Sequence, residues 1–236
     1  MVDLHTHILP GMDDGAKKTS ESLKMLSDAY SQGVRFCVAT PHFVLHRNSD
    51  IDFFISKRAQ KYAELCSAAH ASRVPLPHVR LGAEIFMDNN INSYPDLSKL
   101  CIEGSRCLLV EFPSEKYDPY WGDWLHSLSL KGYIPIIAHF DRYAHREAML
   151  SDFDGVSTVY QLNASRMFSF SGRRLLSTLL EKGVPVVFSS DMHNTLQRPC
   201  NLKDAFRKAK QKFPKEADLL FSVRARSILG IKEESR

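Results

Sequence analysis

Several motifs that mark common enzyme classes are missing from this chain. It has no G-x-G-x-x-G after a β-type run and no G-x-x-x-x-G-K-[ST], so neither a dinucleotide-binding domain nor a P-loop is predicted. The G-x-S-x-G turn that carries the nucleophile of many serine hydrolases is also lacking. No nucleotide-cofactor site is therefore expected.

Cysteine is scarce, and its spacing excludes further classes. The five cysteines form an odd set without a C-x-x-C pair, which argues against zinc-finger and thioredoxin-like sites and against a disulfide framework. Cys37 lies inside an apolar run and is predicted to be a buried small residue.

Long apolar segments are absent as well. No run approaches the roughly 18 residues that span a bilayer, and the N-terminus lacks the pattern of a secretion signal, so we expect a cytoplasmic protein without membrane insertion. The net charge is only +4, and the basic excess near the C-terminus lacks the interleaved aromatic residues of a single-strand binder. A solvated helix face, and no nucleic-acid partner, is predicted there.

Short β-branched runs alternate with segments of helical spacing along the whole chain. The runs are continuously apolar, which is typical of parallel strands buried on both faces. The seven predicted strands cover residues 1–5, 34–42, 79–85, 106–112, 133–139, 158–164 and 184–193. Helices are predicted over 17–33, 52–71, 121–133, 171–183, 201–212 and 216–229. No linker or repeat marks a boundary, so one α/β domain over residues 1–236 is expected, as a barrel or near-barrel.

Almost every predicted strand ends in an imidazole, a carboxylate or an amide. In a parallel barrel these ends meet at one face, where catalytic groups collect. The residues concerned are His5, His7, His42, Glu84, Glu111, His139, Asn163, Asp191 and His193.

A single polar residue at a strand end is usually structural. Nine such residues, however, would be costly to bury without compensating positive charge. No Lys or Arg stands beside them in the runs. Divalent cations would supply that charge. The mixture of imidazole and carboxylate favours Mn, Zn or Fe over Ca or Mg. Of the neighbouring Asp13 and Asp14, one is predicted to be a ligand and the other a cap for the helix starting near Thr19.

Six ordered motifs carry a resemblance to a known family. They are "DLHTHILPGMDDGA", "VATPH", "GAEI", "LLVEFP", "IIAHFDRY" and "SSDMHNTLQRP". Together they resemble the polymerase-and-histidinol-phosphatase (PHP) superfamily and, within it, the bacterial manganese-dependent tyrosine phosphatases of capsule and exopolysaccharide operons. The resemblance implies a distorted (β/α)7 TIM-like barrel in a single domain.

The resemblance also implies a site with three divalent ions. Manganese is the expected metal, with iron, magnesium, cobalt or zinc as alternatives. The implied ligands are His5, His7, Glu84 and Asp191 for one ion, Glu84, Glu111 and His139 for a second, and Asp14, His42 and His193 for a third.

Arg142 and Arg198 match the phosphate-binding arginines of the family, and with His42 and His193 they form the predicted catalytic set. One departure from the family pattern is Phe140-Asp141, where Pro-Glu is usual. We expect metal binding to survive this departure, whereas its effect on the shape of the substrate mouth near Phe140 is left open.

The implied function is a protein-tyrosine phosphatase that acts on the phosphotyrosine-containing C-terminal tail of a membrane-associated polysaccharide co-polymerase kinase. A cysteine-dependent mechanism is excluded because it needs C-x5-R. The residues six positions after the cysteines are Phe43, Ser72, Cys107, Pro113 and Phe206.

Three alternatives stay open at this point. They are a small-molecule phosphatase of the histidinol-phosphate type, a non-catalytic metal-binding regulatory subunit and, less favoured because no basic cleft motif is present, a nuclease acting on DNA ends. A homo-oligomer also stays open, since the sequence does not determine the oligomeric state.

Overall fold

The computed structural model of the protein describes residues 1–44, 48–87, 91, 94 and 96–231. Residues 232–236 of the predicted domain 1–236 lie outside the described residues. The fold is mixed α/β with parallel sheets, as the alternating pattern predicts.

Every strand pair in the described part of the chain is parallel, in two sheets ordered β1-β2-β4 and β3-β5-β6-β7-β8-β9. The strands are β1 Val2–Thr6, β2 Phe36–Ala39, β3 His42–Val44, β4 His78–Leu81, β5 Glu84–Phe86, β6 Cys107–Glu111, β7 Ile134–Ile137, β8 Val159–Asn163 and β9 Val186–Ser189. Parallel order directs all their carboxyl ends to the same side of the sheets.

Helices occupy the connections between most strands. They are α1 Thr19–Ser31, α2 Asn48–Ser72, α3 Trp121–Leu130, α4 Arg146–Asp152, α5 Phe170–Glu181, α6 Leu202–Lys212 and α7 Arg224–Ile228. A π-helical segment, Leu219–Val223, runs directly into α7, so the helix predicted over 216–229 is regular only in its last part. None of the helices in the described ranges combines the length and apolar character needed to cross a bilayer.

Two of the seven predicted strands are interrupted, which corrects the sequence prediction. The run 34–42 divides into β2 and β3, and the run 79–85 divides into β4 and β5. Pro41 has no N–H to continue a ladder, which accounts for the first break. The second break falls at Gly82, whose carbonyl accepts from the side chain of Arg58 at 2.5 Å. Helix α4 was not predicted, because its two turns are too short to show a clear period.

The first and last strands connect the two sheets. The backbone N–H of Asp191 donates to the carbonyl of His5 at 3.0 Å, and that of His7 donates to the carbonyl of Met192 at 3.0 Å. These bonds lie just beyond β9 and at the end of β1, so they bring the carboxyl ends of the first and last strands to the same place. The residues that follow both strands are therefore neighbours.

The C-terminal segment packs onto the sheets through apolar side chains. Ala225 and Leu229 are buried in a cluster with strand residues, among them Val2, Leu4, Val38, Leu109, Ile136 and Val187. On the other side of β9 the ring of Phe188 stacks on that of Phe221 at 4.7 Å. Cys37 is buried and unpaired, which confirms its prediction as a small core residue.

We expect Phe188→Ala to lower the free energy of unfolding by about 3–5 kcal/mol, the usual cost of deleting a fully buried aromatic ring. The ring is 1% exposed and holds the π-helical segment against β9. Urea unfolding followed by circular dichroism measures the change. The control is Leu130→Ala at a side chain that is 76% exposed, where about 0.5 kcal/mol or less is expected. Equal losses in the two variants would contradict this account of the packing.

Candidate metal centre

Seven of the nine predicted ligands lie near the carboxyl end of a strand or in the loop that follows it, and the other two begin short strands that come two residues after β2 and β4. His5 belongs to β1, His42 and Glu84 begin β3 and β5, and Glu111 ends β6. The others stand a few residues beyond a strand: His7 and Asp14 after β1, His139 after β7, and Asp191 and His193 after β9. The parallel arrangement brings these side chains together, as the sequence predicts.

The first group consists of His5, His7, Glu84 and Asp191. The Nε2 atoms of His5 and His7 are 3.1 Å apart, and Oε2 of Glu84 lies 3.1 Å from the first and 3.2 Å from the second. Oδ1 of Asp191 is 3.5 Å from each of these nitrogens. The four side chains thus present their donor atoms to one small volume.

The second group surrounds the other oxygen of Glu84. Nε2 of His139 lies 2.9 Å from Oε1 of Glu84 and 3.2 Å from Oε1 of Glu111. Nδ1 of His42 lies 3.0 Å from Oε2 of Glu84, so this imidazole stands between the groups. Glu84 therefore belongs to two groups at once, one on each carboxylate oxygen.

The third group lies at the open edge of the centre. Oδ1 of Asp14 is 3.3 Å from Nε2 of both His42 and His193. The ring of His193 faces that of His7 at a centroid distance of 3.8 Å. Asp14 is 61% exposed, so solvent reaches the centre from this side.

The contacts within the centre fit bound divalent ions better than hydrogen bonds. A tetrahedral ion about 2.0–2.1 Å from its ligands holds them about 3.3 Å apart, close to the spacings found in the first group. Although three imidazole nitrogens surround Oε2 of Glu84, this buried atom has no partner with hydrogen-bond geometry among the described residues. Imidazole and carboxylate donors, without thiolates, suit Mn, Fe or Zn.

The electrostatics of the centre keep its acids ionised. Burial alone would raise the pKa of the Glu84 carboxyl, but the charge of His5 and the hydrogen bond between His139 and Oε1 hold that pKa well below its usual range. Burial would likewise raise the pKa of the Asp191 carboxyl, but His5, His7 and Arg142 lower it. The buried carboxylates are therefore anionic at neutral pH and need cations beside them.

The imidazoles respond to these acids in different ways. Burial lowers the pKa of His139, but Glu111 and Glu84 raise it to about 9. For His193, burial and the nearby charge of His7 together lower the pKa to about 4. A histidine with so low a pKa presents a neutral ring, the form that binds metal ions.

Asp13 has a different role from the predicted helix cap. Its Oδ2 accepts from Nδ1 of His7 at 2.8 Å and from the backbone N–H of His42 at 3.0 Å. Helix α1 begins at Thr19 without a side-chain cap, so the cap prediction is wrong. Since a carboxylate can only accept, Nδ1 of His7 carries the proton and Nε2 is left free to face the centre. Only the fold brings Asp13 beside His7, and its sequence position did not reveal this contact.

Two of the predicted ligands have left-handed backbone conformations. The φ angles are 31° at His139 and 54° at Asp191, values that side chains with a Cβ adopt at an energetic cost. Both residues follow a strand that ends abruptly, and the turn directs their side chains toward Glu84 and His5.

Arg142 and Arg198 lie together at the rim of the centre. Both donate to Oδ2 of Asp191, Arg198 at 2.7 Å, and their side chains are 39% and 38% exposed. Each contact uses one nitrogen of the guanidinium group, so other N–H donors remain on each side chain. The two cations flank the same open side as Asp14.

The Phe140-Asp141 pair, which departs from the family pattern, is buried and does not line the mouth of the centre. Phe140 is fully buried, and its ring meets that of Tyr160 at 4.8 Å. Asp141 is buried and accepts from the backbone N–H of Asn163 at 2.8 Å. The pair supports the turn that carries His139 and Arg142.

Comparison with known proteins agrees with this geometry. A model of the family described as capsular polysaccharide synthesis, CpsB/CapC, matches residues 1–229. The chain belongs to this family. The resemblance drawn from the six motifs is thereby confirmed.

Relatives match over nearly the full length. The chain is 33% identical over 222 residues to CapC of Staphylococcus aureus. This match covers 90% of this chain and 84% of that protein. It is 29% identical over 238 residues to the tyrosine-protein phosphatase YwqE of Bacillus subtilis. That match covers 97% of this chain and 91% of YwqE.

A solved structure is also similar. It comes from work on YwqE of Bacillus subtilis and CpsB of Streptococcus pneumoniae, described as metal-dependent tyrosine phosphatases. The TM-score is 0.82 at 27% identity, and the match covers 100% of this chain and 97% of that one. The similar structure thus comes from metal-dependent enzymes, and the three groups described above are candidate metal-binding groups.

We expect Asp13→Asn to weaken Mn²⁺ binding by about 10-fold or more, the usual effect of altering a group that orients a ligating histidine. The amide has one acceptor oxygen, whereas Asp13 accepts from His7 and His42 on one oxygen and from Gly15 on the other. Titration calorimetry on the metal-free protein measures the affinity. Asp28→Asn, the same change on an exposed face of α1, is the control. Unchanged affinity in Asp13→Asn would show that this contact does not orient His7.

Proposed function

We propose that the protein is a metal-dependent phosphomonoester hydrolase that removes phosphate from phosphotyrosine in proteins. The observation that carries the proposal is the buried Glu84 carboxylate, whose two oxygens face two different groups of imidazoles and acids. Two partly exposed arginines stand at the edge of this arrangement. Such a site offers both a place for clustered cations and a clamp for an anionic substrate.

Bound divalent ions would lower the pKa of a water molecule and neutralise the oxygens of the phosphate. The chain's own residues would hold and orient the reactants. Arg142 and Arg198 can each offer N–H donors to the phosphate oxygens in the forked geometry that suits a phosphoryl group. His42 and His193, with Asp14, stand on the accessible side, where the ester oxygen would enter. Positioning and charge stabilisation supply most of the acceleration in phosphoryl transfer.

The proposed assignment of ligands follows the three groups. The first ion would be held by His5, His7, Glu84 and Asp191, the second by Glu84, Glu111 and His139, and the third by Asp14, His42 and His193. Donor atoms of three overlapping sets lie within 4.8 Å of one another, namely His7 with Asp14, His42 and His193, His5 with His7 and Glu84, and His42 with Glu84 and Glu111. Three ions per chain, with manganese as the metal, are therefore part of the proposal.

Phosphotyrosine is the favoured substrate because the relative YwqE is named a tyrosine-protein phosphatase and the similar solved structure comes from metal-dependent tyrosine phosphatases. The capsular polysaccharide synthesis family suggests a tyrosine kinase as the partner. We propose that the substrate is the phosphotyrosine-bearing C-terminal tail of a membrane-associated polysaccharide co-polymerase kinase. A centre open along the Asp14 side would admit an extended tail. The cytoplasmic location stays a prediction from the sequence.

We also propose that the two sheets form one distorted seven-stranded barrel and that residues 1–236 are a single domain. The bonds of Asp191 with His5 and of His7 with Met192 support the junction between β9 and β1. At the opposite side, β2 leads into β3 and β4 into β5 after only two residues each. The family match over residues 1–229 supports one domain.

Two other functions use the same residues. A small-molecule phosphatase of the histidinol-phosphate type would need the same cations and arginines, and substrate comparison separates it from the favoured function. A non-catalytic metal-binding subunit would bind ions and show no turnover. The complete ligand set argues against such loss of activity, since nine positions all carry donors and all nine lie in one centre.

We expect His139→Ala to lower phosphotyrosine-peptide hydrolysis with Mn²⁺ by at least 100-fold, because it removes a nitrogen that faces both Glu84 and Glu111. Phosphate release from phosphotyrosine peptide, histidinol phosphate and nicked DNA measures the activity. Exposed His126 on α3 provides the control His126→Ala, which should keep full activity. Replacing the cysteines by serine should also leave turnover intact, whereas exhaustive chelation should abolish it. Turnover that survives chelation would disprove the metal mechanism.

A second prediction concerns the arginine clamp. Arg198→Lys keeps the charge but loses the fork, so we expect kcat/KM for phosphotyrosine peptide to fall about 10-fold, equal to one charge-assisted hydrogen bond of about 1.5 kcal/mol. Metal content, measured by elemental analysis, should stay unchanged. Arg207→Lys at an exposed pair with Asp204 on α6 is the control. If both variants keep wild-type kcat/KM, Arg198 does not hold the phosphate.

A further inference from the structure

Gln161 lies at the centre of β8, is completely buried, and was not predicted from the sequence as a site residue. Its side-chain oxygen Oε1 accepts from the backbone N–H of His139 at 2.6 Å. The same oxygen lies 3.1 Å from Nδ1 of His5. One amide oxygen thus touches residues of two different groups in the metal centre.

The orientation of this amide is determined by the backbone. A peptide N–H can only donate, so the atom that faces His139 must be the oxygen of Gln161. An oxygen without a hydrogen can only accept, so Nδ1 of His5 must carry a proton. The other nitrogen of His5, Nε2, is then unprotonated in the neutral ring and faces Glu84 and His7.

The nitrogen end of the Gln161 amide is linked to the first group through Asn163. Nε2 of Gln161 donates to Oδ1 of Asn163 at 3.0 Å, and Nδ2 of Asn163 donates to Oδ2 of Asp191 at 3.2 Å. The direction of these two bonds follows from the first, because each amide has one donor end and one acceptor end. Asn163 thus joins Arg142 and Arg198 in donating to Oδ2 of Asp191, while Oδ1 of Asp191 is turned toward His5 and His7.

His139 depends on this contact in a particular way. Nδ1 of its ring is buried and has no hydrogen-bond partner among the described residues, so no bond on the outer side of the ring fixes its rotation. Its backbone is left-handed and lies beyond the end of β7, where the sheet no longer offers it a carbonyl. The bond to Gln161 therefore satisfies the backbone N–H of this residue, whose carbonyl accepts from the backbone N–H of Arg142 at 2.8 Å.

We propose that Gln161 is a positioning residue shared by two ion sites: it sets the protonated nitrogen of His5 in the first and anchors His139 in the second, with Asn163 extending its influence to Asp191. The proposal rests on the metal centre assigned under the proposed function. It predicts that one uncharged side chain, which contacts no ion itself, controls the affinity of both sites.

The test compares three variants of the full-length chain with the wild type. Gln161→Met keeps the volume and removes both polar ends, whereas Gln161→Glu keeps the acceptor for His139 and His5. Leu162→Val is the control, since it trims a fully buried neighbour in the same strand that makes none of these contacts. Electron paramagnetic resonance of free Mn²⁺ measures the affinity, and ¹⁵N NMR of the histidine rings in the metal-free protein reports which nitrogen of His5 is protonated.

We expect Gln161→Met to bind Mn²⁺ about 10- to 100-fold more weakly, in line with other losses of an outer partner of a metal-binding histidine, and to lose metal in more than one site. The ¹⁵N signals of His5 should show the proton no longer confined to Nδ1. Gln161→Glu should restore that signature and recover part of the affinity, and Leu162→Val should bind as the wild type does.

Three results would overturn the proposal. They are wild-type affinity in Gln161→Met, an equal loss in Leu162→Val, or a Gln161→Glu variant no better than Gln161→Met in both measurements. A wild-type protein that binds no Mn²⁺ would instead disprove the metal centre itself, and with it this proposal. Because the readouts are affinity and protonation, they separate this inference from the choice of substrate.

Discussion

The structure is organised around one buried carboxylate that cannot stand alone. Glu84 is 1% exposed, and an ionised acid in such a place is strongly destabilising unless positive charge surrounds it. Four imidazoles from three strands, or from the loops after them, converge on its two oxygens. Since protonated imidazoles or bound cations can both supply that charge, the same arrangement that makes the acid tolerable also makes a metal centre.

Parallel strands are what make this convergence possible. Their carboxyl ends face one way, and the bonds between the segments after β1 and β9 place residues 5 and 191 beside each other. Regular strands alone would not direct all of these side chains into the centre, however, because alternate side chains of a strand point to opposite faces of the sheet. The left-handed backbone at His139 and Asp191 turns these two side chains back toward the centre. Local backbone strain is thus present at two residues that carry the function.

The sequence predicted the candidate ligands of the centre better than the residues that orient those ligands. His5, His139 and Asp191 were predicted because each follows a conspicuous apolar run, and all of them lie in the centre. Asp13 was misassigned as a helix cap and Gln161 was missed, since the partner of a polar side chain depends on contacts far along the chain. The predicted seven strands became nine described ones because Pro41 and Gly82 interrupt two runs, and a run of apolar residues does not show where its hydrogen bonding stops.

The sequence by itself determined the α/β class, the parallel order of the strands and the chemical types of the donor atoms, because these depend on local periodicity and on residue identity. Only the tertiary structure decided which nitrogen of His5 and His7 faces the centre, that Glu84 serves two groups, and that Phe140 is in the core. Those features depend on contacts between residues as far apart as His5 and Gln161, and hydrogen-bond direction is defined only once both partners are in place.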